Sequence, residues 1–319
     1  MILILGLNPA LDVVAQVADP RWGDLNIARA QAVFPAGKAT NLTRHLALRG
    51  QPARLLGWIG EHEQSRFEAW LQQAGAQVTL VPLQGTTRIN CKVIDTTNGV
   101  DTEFNGPGIP ISAEALSQME ARLWESLGQT DLLVLTGSLP PGVPDDVYAR
   151  WIRLAHRAGV PCALDASGQA LQTAAAEHPW TLKLNWREVA ELAGHPVPDS
   201  LAAAHSLRRA VAGGTSLALA THAERVVLVS AEGEWEARVP ARQAVNPIGA
   251  GDALLAGLIC AWRQGASPEA ILREATASAV ASVELLAPGD WSPELHARAL
   301  DEVRVTALPR PGCTPAPAG

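Results

Sequence analysis

The sequence is poor in cysteine and has no cluster of basic residues. None of its four cysteines forms a Cys-x-x-Cys pair, which argues against a disulfide framework and against a paired-thiolate metal site. The formal net charge is -7 and no three consecutive residues are Lys or Arg, so neither a nucleic acid nor an anionic membrane is expected as a partner. These features predict a protein of the reducing cytoplasm.

The first residues also lack the features of a targeting leader. The first basic side chain is Arg21, and Asn8-Pro9 interrupts the apolar segment 1–7 too early for a signal peptide or a spanning helix. We therefore expect this apolar segment to form a buried strand.

Several common catalytic motifs are missing. There is no Gly-x-x-x-x-Gly-Lys-Ser/Thr, and no Gly-x-Gly-x-x-Gly opens a first βα turn, so P-loop and dinucleotide-binding folds are disfavoured. Without His-Glu-x-x-His or Gly-x-Ser-x-Gly, a zinc hydrolase or a serine esterase is not expected either. A phosphate-binding protein with this sequence would need a different arrangement of loops.

Most of the chain alternates between apolar segments of strand length and amphipathic segments of helix length. Strands are predicted at 53–59, 131–135, 160–165 and 180–184, and helices at 41–48, 114–127 and 146–158. This order is typical of βαβ units, in which helices cover a parallel sheet.

Two stretches interrupt that alternation. Residues 12–34 and 88–104 have strand character with no helix between strands, and Thr96-Thr97-Asn98-Gly99 is a turn sequence. We expect a small β lid, from segments at about 12–34 and 86–106, over the edge of the sheet where open α/β folds bind ligands. The main domain is predicted to cover 1–307, and the Pro-, Ala- and Gly-rich residues 308–319 are predicted to form a flexible tail.

The segment 244–258 is the strongest indication of function. Pro247 excludes a helix before it, Gly249 and Gly251 make an open loop, and an apolar helical run follows. The free N–H groups at such a helix start bind anions. Asp252 at this position suits a base that takes a proton from a nucleophile attacking the anion, although a tight turn with Asp252 near the positive helix end is an alternative.

Polar residues elsewhere offer further candidate contacts. Asp12 could accept hydrogen bonds from two sugar hydroxyls or close an Asx turn, and Asn41 could bind a hydroxyl or cap the first long helix. Arg88, Asn90 and Lys92 share one face of a lid strand, which would face either solvent or the cleft.

Four more positions lie next to predicted strand ends or helix starts. Gly37 would let a ligand approach the backbone, and Lys38 would supply positive charge to a phosphate. Ser138 follows the strand at 131–135. Asn185 and Glu188 have the spacing of a capping box, a role that is compatible with ligand binding.

Taken in order, these segments resemble the PfkB (ribokinase-like) carbohydrate kinases, and in particular the branch of that family that phosphorylates sugar phosphates. The matching segments are Leu7-Asn8-Pro9-Ala10-Leu11-Asp12, Ala36-Gly37-Lys38 with Asn41, Thr87-Arg88-Ile89-Asn90, Thr136-Gly137-Ser138-Leu139-Pro140-Pro141-Gly142, Lys183-Leu184-Asn185-Trp186-Arg187-Glu188 and the segment 246–252. The resemblance implies a ribokinase-like three-layer α/β sandwich with a mostly parallel central sheet and a small β lid.

It also implies ATP-dependent phosphorylation of a ketohexose phosphate, with fructose 1-phosphate as the first expectation. Tagatose 6-phosphate, a free sugar or a nucleoside are alternative substrates in the same fold. Asp252 would be the base, and the N–H groups of Gly249, Ala250 and Gly251 would stabilise the transferring phosphoryl group. Residues implied to bind the sugar phosphate are Asp12, Gly37, Lys38, Asn41, Arg88, Asn90 and Ser138, with Lys38 and Arg88 on its phosphate.

The nucleotide site follows from the same resemblance. Residues implied to bind ATP are Lys183, Asn185, Glu188, Thr221 and Ala223, with Mg²⁺ held at Glu188 through water. Members of the family often pair through their lids, so a homodimer is expected. Two glycines of the family's nucleotide-binding turn are replaced here by His222 and Arg225. A sugar-phosphate-binding protein with a decayed nucleotide site therefore remains an alternative.

Overall fold

The structure is a computed structural model that describes residues 1–239 and 244–309. The elements in chain order are β1 (Ile2–Gly6), β2 (Ala10–Val17), β3 (Ala30–Ala36), α1 (Lys38–Leu48), β4 (Ala53–Gly60), α2 (Gln64–Gln72), β5 (Gln77–Leu83), β6 (Arg88–Asp95), β7 (Val100–Asn105), α3 (Ala113–Leu127), β8 (Leu132–Thr136), α4 (Val147–Arg157), β9 (Cys162–Asp165), α5 (Gly168–Ala175), β10 (Thr181–Asn185), α6 (Trp186–Ala193), α7 (Ser200–Ala212), β11 (Leu217–His222), β12 (Arg225–Ser230), β13 (Glu234–Arg238), α8 (Ala250–Arg263), α9 (Pro268–Ser282), α10 (Pro293–Glu302) and β14 (Arg304–Ala307).

Strand β1 shows how the sequence produces three layers. Successive side chains of a strand point to opposite faces, and here both faces are apolar. Ile2 and Ile4 pack in the core beneath α1, α2, α8, α9 and α10. Leu3 and Leu5 pack in a second core beneath α3, α4, α5, α6 and α7. The expected α/β/α sandwich is therefore confirmed.

The central sheet has the strand order β14-β13-β12-β11-β10-β9-β8-β1-β4-β5. Neighbouring strands from β5 to β11 are parallel, and those from β11 to β14 are antiparallel. The strands predicted from apolar runs are present as β4, β8, β9 and β10. The predicted helices are present as α1, α3 and α4. The carboxyl ends of the parallel strands lie at one edge of the sheet, which is where the candidate site is found.

The second sheet contains four strands in the order β3-β2-β6-β7, and it is called the lid here. The turn 96–99 joins β6 and β7 as an antiparallel hairpin, as its sequence predicts. Strand β2 pairs in parallel with β6, which places Asp12 opposite Asn90. Residues 18–29 contain no strand, so the first lid segment is two strands joined by an irregular loop.

The C-terminal strand β14 adds to the antiparallel edge of the central sheet. Directly after it, the Leu308 N–H donates to the carbonyl of Glu234 at 2.8 Å. The remainder of the predicted tail, from residue 310, lies outside the described residues. Within the two described ranges, no helix has the length and apolar character needed to cross a bilayer.

Candidate active site

A cavity of about 380 Å³ opens between the lid and the carboxyl ends of β1 and β8. The sequence places its predicted catalytic and sugar-phosphate residues far apart, yet all of them line this one cavity. They are Asp12, Gly37, Lys38, Asn41, Arg88, Asn90, Ser138, Gly249, Ala250, Gly251 and Asp252. Lys183, assigned to the nucleotide, lines it as well.

Two helices point their N-termini into the cavity. Helix α1 follows Gly37 at φ 102° and helix α8 follows Gly249 at φ 85°, and neither start has a side-chain cap. By contrast, α9 and α10 are capped by Ser267 and Ser292. No side chain therefore occupies the first N–H groups of α1 and α8, and the Ala250 N–H makes only a long 3.5 Å bond to the Pro247 carbonyl. Both helix dipoles place partial positive charge there.

Asp252 lies in the first turn of α8 and is only 6% exposed. The Asn41 side-chain amide donates to its Oδ2 at 2.8 Å. Burial raises the pKa of Asp252 to about 6, although the positive charge of Lys38 opposes the shift. Asn41 does not cap α1, so the capping alternative is wrong, and its own Oδ1 is buried without a partner among the described residues. The pair forms a candidate base with a fixed orientation.

Asp165, which sequence reasoning missed, joins the two lysines of the site. The Lys38 ammonium lies 2.9 Å from its Oδ1 and the Lys183 ammonium lies 3.2 Å from its Oδ2. Burial alone would raise the pKa of Asp165, but Lys183 and Lys38 together lower it. Despite burial, Asp165 and Asp252 raise the pKa of Lys38, so Lys38 remains charged beside the start of α8.

Absence of a side chain at Gly251 makes room for one of these lysines. A Cβ atom at this position would lie 3.0 Å from the Lys183 Nζ. The loop backbone and a buried positive charge are therefore in direct proximity, which strengthens the site for an anion.

On the lid, the predicted polar face of β6 turns toward the cavity. The Asn90 amide donates to Asp12 Oδ1 at 2.8 Å, and the Lys92 ammonium lies 3.1 Å from Asp12 Oδ2. Lys92 also pairs with Glu103 at 3.4 Å. Asp12 lies within β2, so the Asx-turn alternative is wrong. Its carboxylate is held in place and still has lone pairs for ligand hydroxyls.

Arg88 makes contacts that its sequence position did not reveal. Its guanidinium donates to the carbonyls of Asn8 at 3.0 Å and Gly106 at 3.1 Å. It therefore anchors the loop between β1 and β2 while lining the cavity. In the same loop, the Asn8 amide donates to the Ser138 hydroxyl at 3.1 Å, so Ser138 is held against this loop.

A second cavity, of about 440 Å³, adjoins the first across Ala250 and Gly251, which line both. Asn185, Thr221 and Ala223, predicted for the nucleotide, line this second cavity. The two cavities therefore adjoin at the start of α8.

Glu188, at the start of α6, is buried and lines neither of these two cavities, although Asn185 before it lines the second. Its Oε2 accepts from the Asn185 N–H at 2.7 Å, and its own N–H donates to Asn185 Oδ1 at 2.9 Å. The predicted capping box is therefore confirmed. Burial raises the pKa of Glu188, partly opposed by its hydrogen bond to Asn185 and by Lys38. Within the described ranges, no three His, Cys, Asp or Glu side chains cluster so as to hold a metal ion by themselves.

The turn that lacks the family's glycines is a tight hairpin between β11 and β12. His222 pairs with Arg225 across the two strands. Ala223, between the two replaced positions, has a positive φ of 45°. The replacement of glycine by His222 therefore did not remove the turn.

Comparison with known proteins identifies the family of this chain. Residues 6–294 match the pfkB family carbohydrate kinase model. The chain belongs to the pfkB family of carbohydrate kinases, whose activity makes ATP the expected phosphoryl donor.

Two sequence relatives of this chain are named 1-phosphofructokinase. The 1-phosphofructokinase of Escherichia coli K12 is 33% identical over 282 residues, covering 87% of this chain and 89% of that protein. The 1-phosphofructokinase of Bacillus subtilis is 30% identical over 315 residues, covering 97% of this chain and 100% of its own. The fold matches that of phosphofructokinase-2 from Escherichia coli with a TM-score of 0.86 at 23% identity, over 94% of this chain and 98% of that one.

Proposed function

We propose that this protein transfers the γ-phosphoryl group of ATP to the primary 6-hydroxyl of fructose 1-phosphate, which gives fructose 1,6-bisphosphate and ADP. The observation that carries the proposal is the position of Asp252. This buried carboxylate lies at the uncapped start of α8, in a cavity lined by lysine and arginine. The sequence relatives named 1-phosphofructokinase support fructose 1-phosphate as the acceptor.

Asp252 is suited to take the proton from the attacking hydroxyl. With its pKa near 6, it is mostly ionised at neutral pH yet more basic than an ordinary carboxylate. The hydrogen bond from Asn41 fixes Oδ2, which leaves Oδ1 to accept the proton. The N–H groups of Gly249, Ala250 and Gly251 then stabilise negative charge on the transferring phosphoryl group.

The phosphate already on the sugar requires positive charge elsewhere in the cavity. A guanidinium has five N–H donors, so Arg88 retains donors for a phosphate after its bonds to backbone carbonyls. Lys38 adds charge from the opposite wall. Asp12 and Asn90, already oriented by each other, are placed to bind the sugar hydroxyls.

We assign ATP to the second cavity, with its phosphates at the N–H groups of Gly249, Ala250 and Gly251, which are called the anion-binding loop below. Mg²⁺ prefers octahedral oxygen coordination and keeps several waters, using few carboxylates besides substrate phosphates. The single carboxylate of Glu188, held against Asn185 at the edge of the second cavity, would hold such an ion through water. When bound, Mg²⁺ neutralises charge on the nucleotide phosphates.

The experiment that tests this proposal is Mg²⁺-dependent ADP release by the purified protein. Acceptors to compare are fructose 1-phosphate, tagatose 6-phosphate, fructose 6-phosphate, the corresponding free sugars and several nucleosides. Highest kcat/KM with fructose 1-phosphate supports the proposal, whereas preference for a free sugar or a nucleoside refutes it. Binding of sugar phosphate without turnover would instead identify a protein whose nucleotide site has decayed.

The pKa of Asp252 predicts a specific pH dependence. Because only the ionised carboxylate accepts a proton, kcat/KM should fall about tenfold per pH unit below pH 6. The Asn41 hydrogen bond lowers that pKa, so Asn41→Ala should move the acidic limb to higher pH. The measurement is kcat/KM from pH 5 to 9 for both proteins. An unmoved limb in the variant would show that another group controls it.

We propose that two copies of the chain pair through their lids. The loop that joins the lid strands β2 and β3 exposes Trp22 at 82%, Leu25 at 84% and Ile27 at 80%, and Trp22 packs against Phe104 of β7. Several large apolar side chains exposed on one short loop are typical of an interaction surface. Two lids packed together would remove it from water.

Ile27→Asp should therefore shift the protein toward the monomer, as measured by sedimentation velocity over a range of concentrations. The matched control is Trp124→Glu on α3, which also removes an exposed apolar side chain but lies away from the lid. An Ile27→Asp protein that remains dimeric would place the interface elsewhere.

A further inference from the structure

His222 and Trp186 form a stacked pair beside the second cavity. Their ring centroids are 4.5 Å apart and their planes differ by 16°. Trp186 is buried, and its indole N–H has no partner among the described residues. His222 is exposed, so one face of its imidazole lies on the indole while the other is free.

The stack directs the bulk of His222 onto Trp186 rather than into the path of a ligand. The space beside it still measures about 440 Å³, within the range of small-molecule sites. Its other walls combine small or apolar side chains, including Ala223, Leu254 and Ala279, with the polar side chains of Asn185, Arg187 and Thr221. A histidine that plugged the nucleotide path would leave no such space.

The position of the pair relative to the anion-binding loop indicates what the space receives. Ala250 and Gly251 line both cavities, so a nucleotide with its phosphates at the loop extends its base toward His222 and Trp186. Aromatic rings bind nucleobases by stacking, and the larger ring system of a purine gains more contact than a pyrimidine.

We propose that the free face of His222, held flat by Trp186, is a stacking platform for the nucleobase and gives the enzyme a preference for purine nucleoside triphosphates. The inference rests on the proposed kinase function. In this chain, an aromatic contact replaces the glycine backbone that is usual at position 222 in the family.

His222→Gly restores the residue that is usual in the family. It distinguishes a histidine that supports nucleotide binding from one that blocks it. We expect a tenfold rise, roughly, in the Kd for ADP, measured by calorimetry, and in the KM for ATP. The KM for fructose 1-phosphate should not change and serves as the internal reference. His222→Phe keeps a flat ring on Trp186 and should bind ADP with nearly wild-type affinity. The matched control is His156→Ala, which removes an exposed histidine from α4.

Two further readouts complete the test. The ratio of kcat/KM for ATP over that for CTP should fall in His222→Gly and persist in His222→Phe. Addition of ADP should quench tryptophan fluorescence, and Trp186→Phe should remove most of that quench. An unchanged or tighter ADP affinity in His222→Gly would overturn the platform. If the wild-type protein binds ADP but does not phosphorylate any sugar phosphate, that result would contradict only the proposed kinase function.

Discussion

Replacing Asp252 with Asn is expected to remove nearly all phosphoryl transfer and, at the same time, to make the protein more stable above pH 6. The amide cannot accept a proton from the sugar hydroxyl, and loss of a general base costs roughly a hundredfold to ten-thousandfold in rate. Asn has almost the same shape as Asp, so the affinity for sugar phosphate should be largely retained. The rate loss should therefore appear in kcat rather than in KM.

The gain in stability follows from the buried position of this carboxylate. Folding raises its pKa from 3.8 to about 6, which means that the folded protein favours the protonated form. The stabilising contribution is fully present below pH 3.8 and is lost as the pH rises through 6. At pH 8 the ionised carboxylate opposes folding by about 3 kcal/mol, because one pKa unit corresponds to ~1.36 kcal/mol. A neutral Asn avoids this opposition.

Turnover and urea denaturation, each at pH 5 and pH 8, measure both effects. The stability difference between Asp252→Asn and the wild type should be larger at pH 8. Asp199→Asn is the matched control, because Asn replaces Asp at the N-cap of α7 and preserves the cap. If Asp252→Asn turned over at the wild-type rate, the base would lie elsewhere. If the stability difference between the variant and the wild type were the same at pH 5 and pH 8, the raised pKa of Asp252 would be contradicted.

The fold was predictable from local patterns because they reflect which surfaces are buried. Apolar runs such as 131–135 produced strands buried on both faces, and period-2 alternation placed Arg88, Asn90 and Lys92 on one side of the lid. The capping box at Asn185 and Glu188 was also predictable, since its partners are three residues apart.

Contacts between distant segments could not be predicted in this way. Asp165 ends β9, but nothing local indicates that Lys38 and Lys183 meet at its carboxylate. Likewise, the bonds from Arg88 to the loop at Asn8 depend on how the lid packs. His222 stacks on Trp186 because the β11–β12 hairpin and the start of α6 come together only after folding. The order of the sequence motifs identified the candidate residues. The charges that surround each of them come from distant segments and are known only from the folded structure.

Asp165→Asn is expected to be the most destabilising conservative substitution in the site. The side chains of Asp165 and Lys183 are 1% and 7% exposed, so loss of the carboxylate charge leaves a buried ammonium without compensation. Breaking a buried ion pair by removing one partner costs roughly 3–5 kcal/mol. Lys38 would also lose its anchor, so kcat/KM should fall together with stability.

Urea denaturation at pH 7 measures the cost, and Asp131→Asn provides a matched comparison. Asp131 also contacts two positive groups, the N-terminal ammonium and Arg263, but its side chain is 57% exposed. Solvent screens such pairs, so this control should lose no more than about 1 kcal/mol. Adding Lys183→Met to Asp165→Asn removes the uncompensated charge and should recover part of the lost stability. If Asp165→Asn cost no more than Asp131→Asn, or if the second substitution added its full cost, the coupling of Asp165 to the two lysines would be refuted.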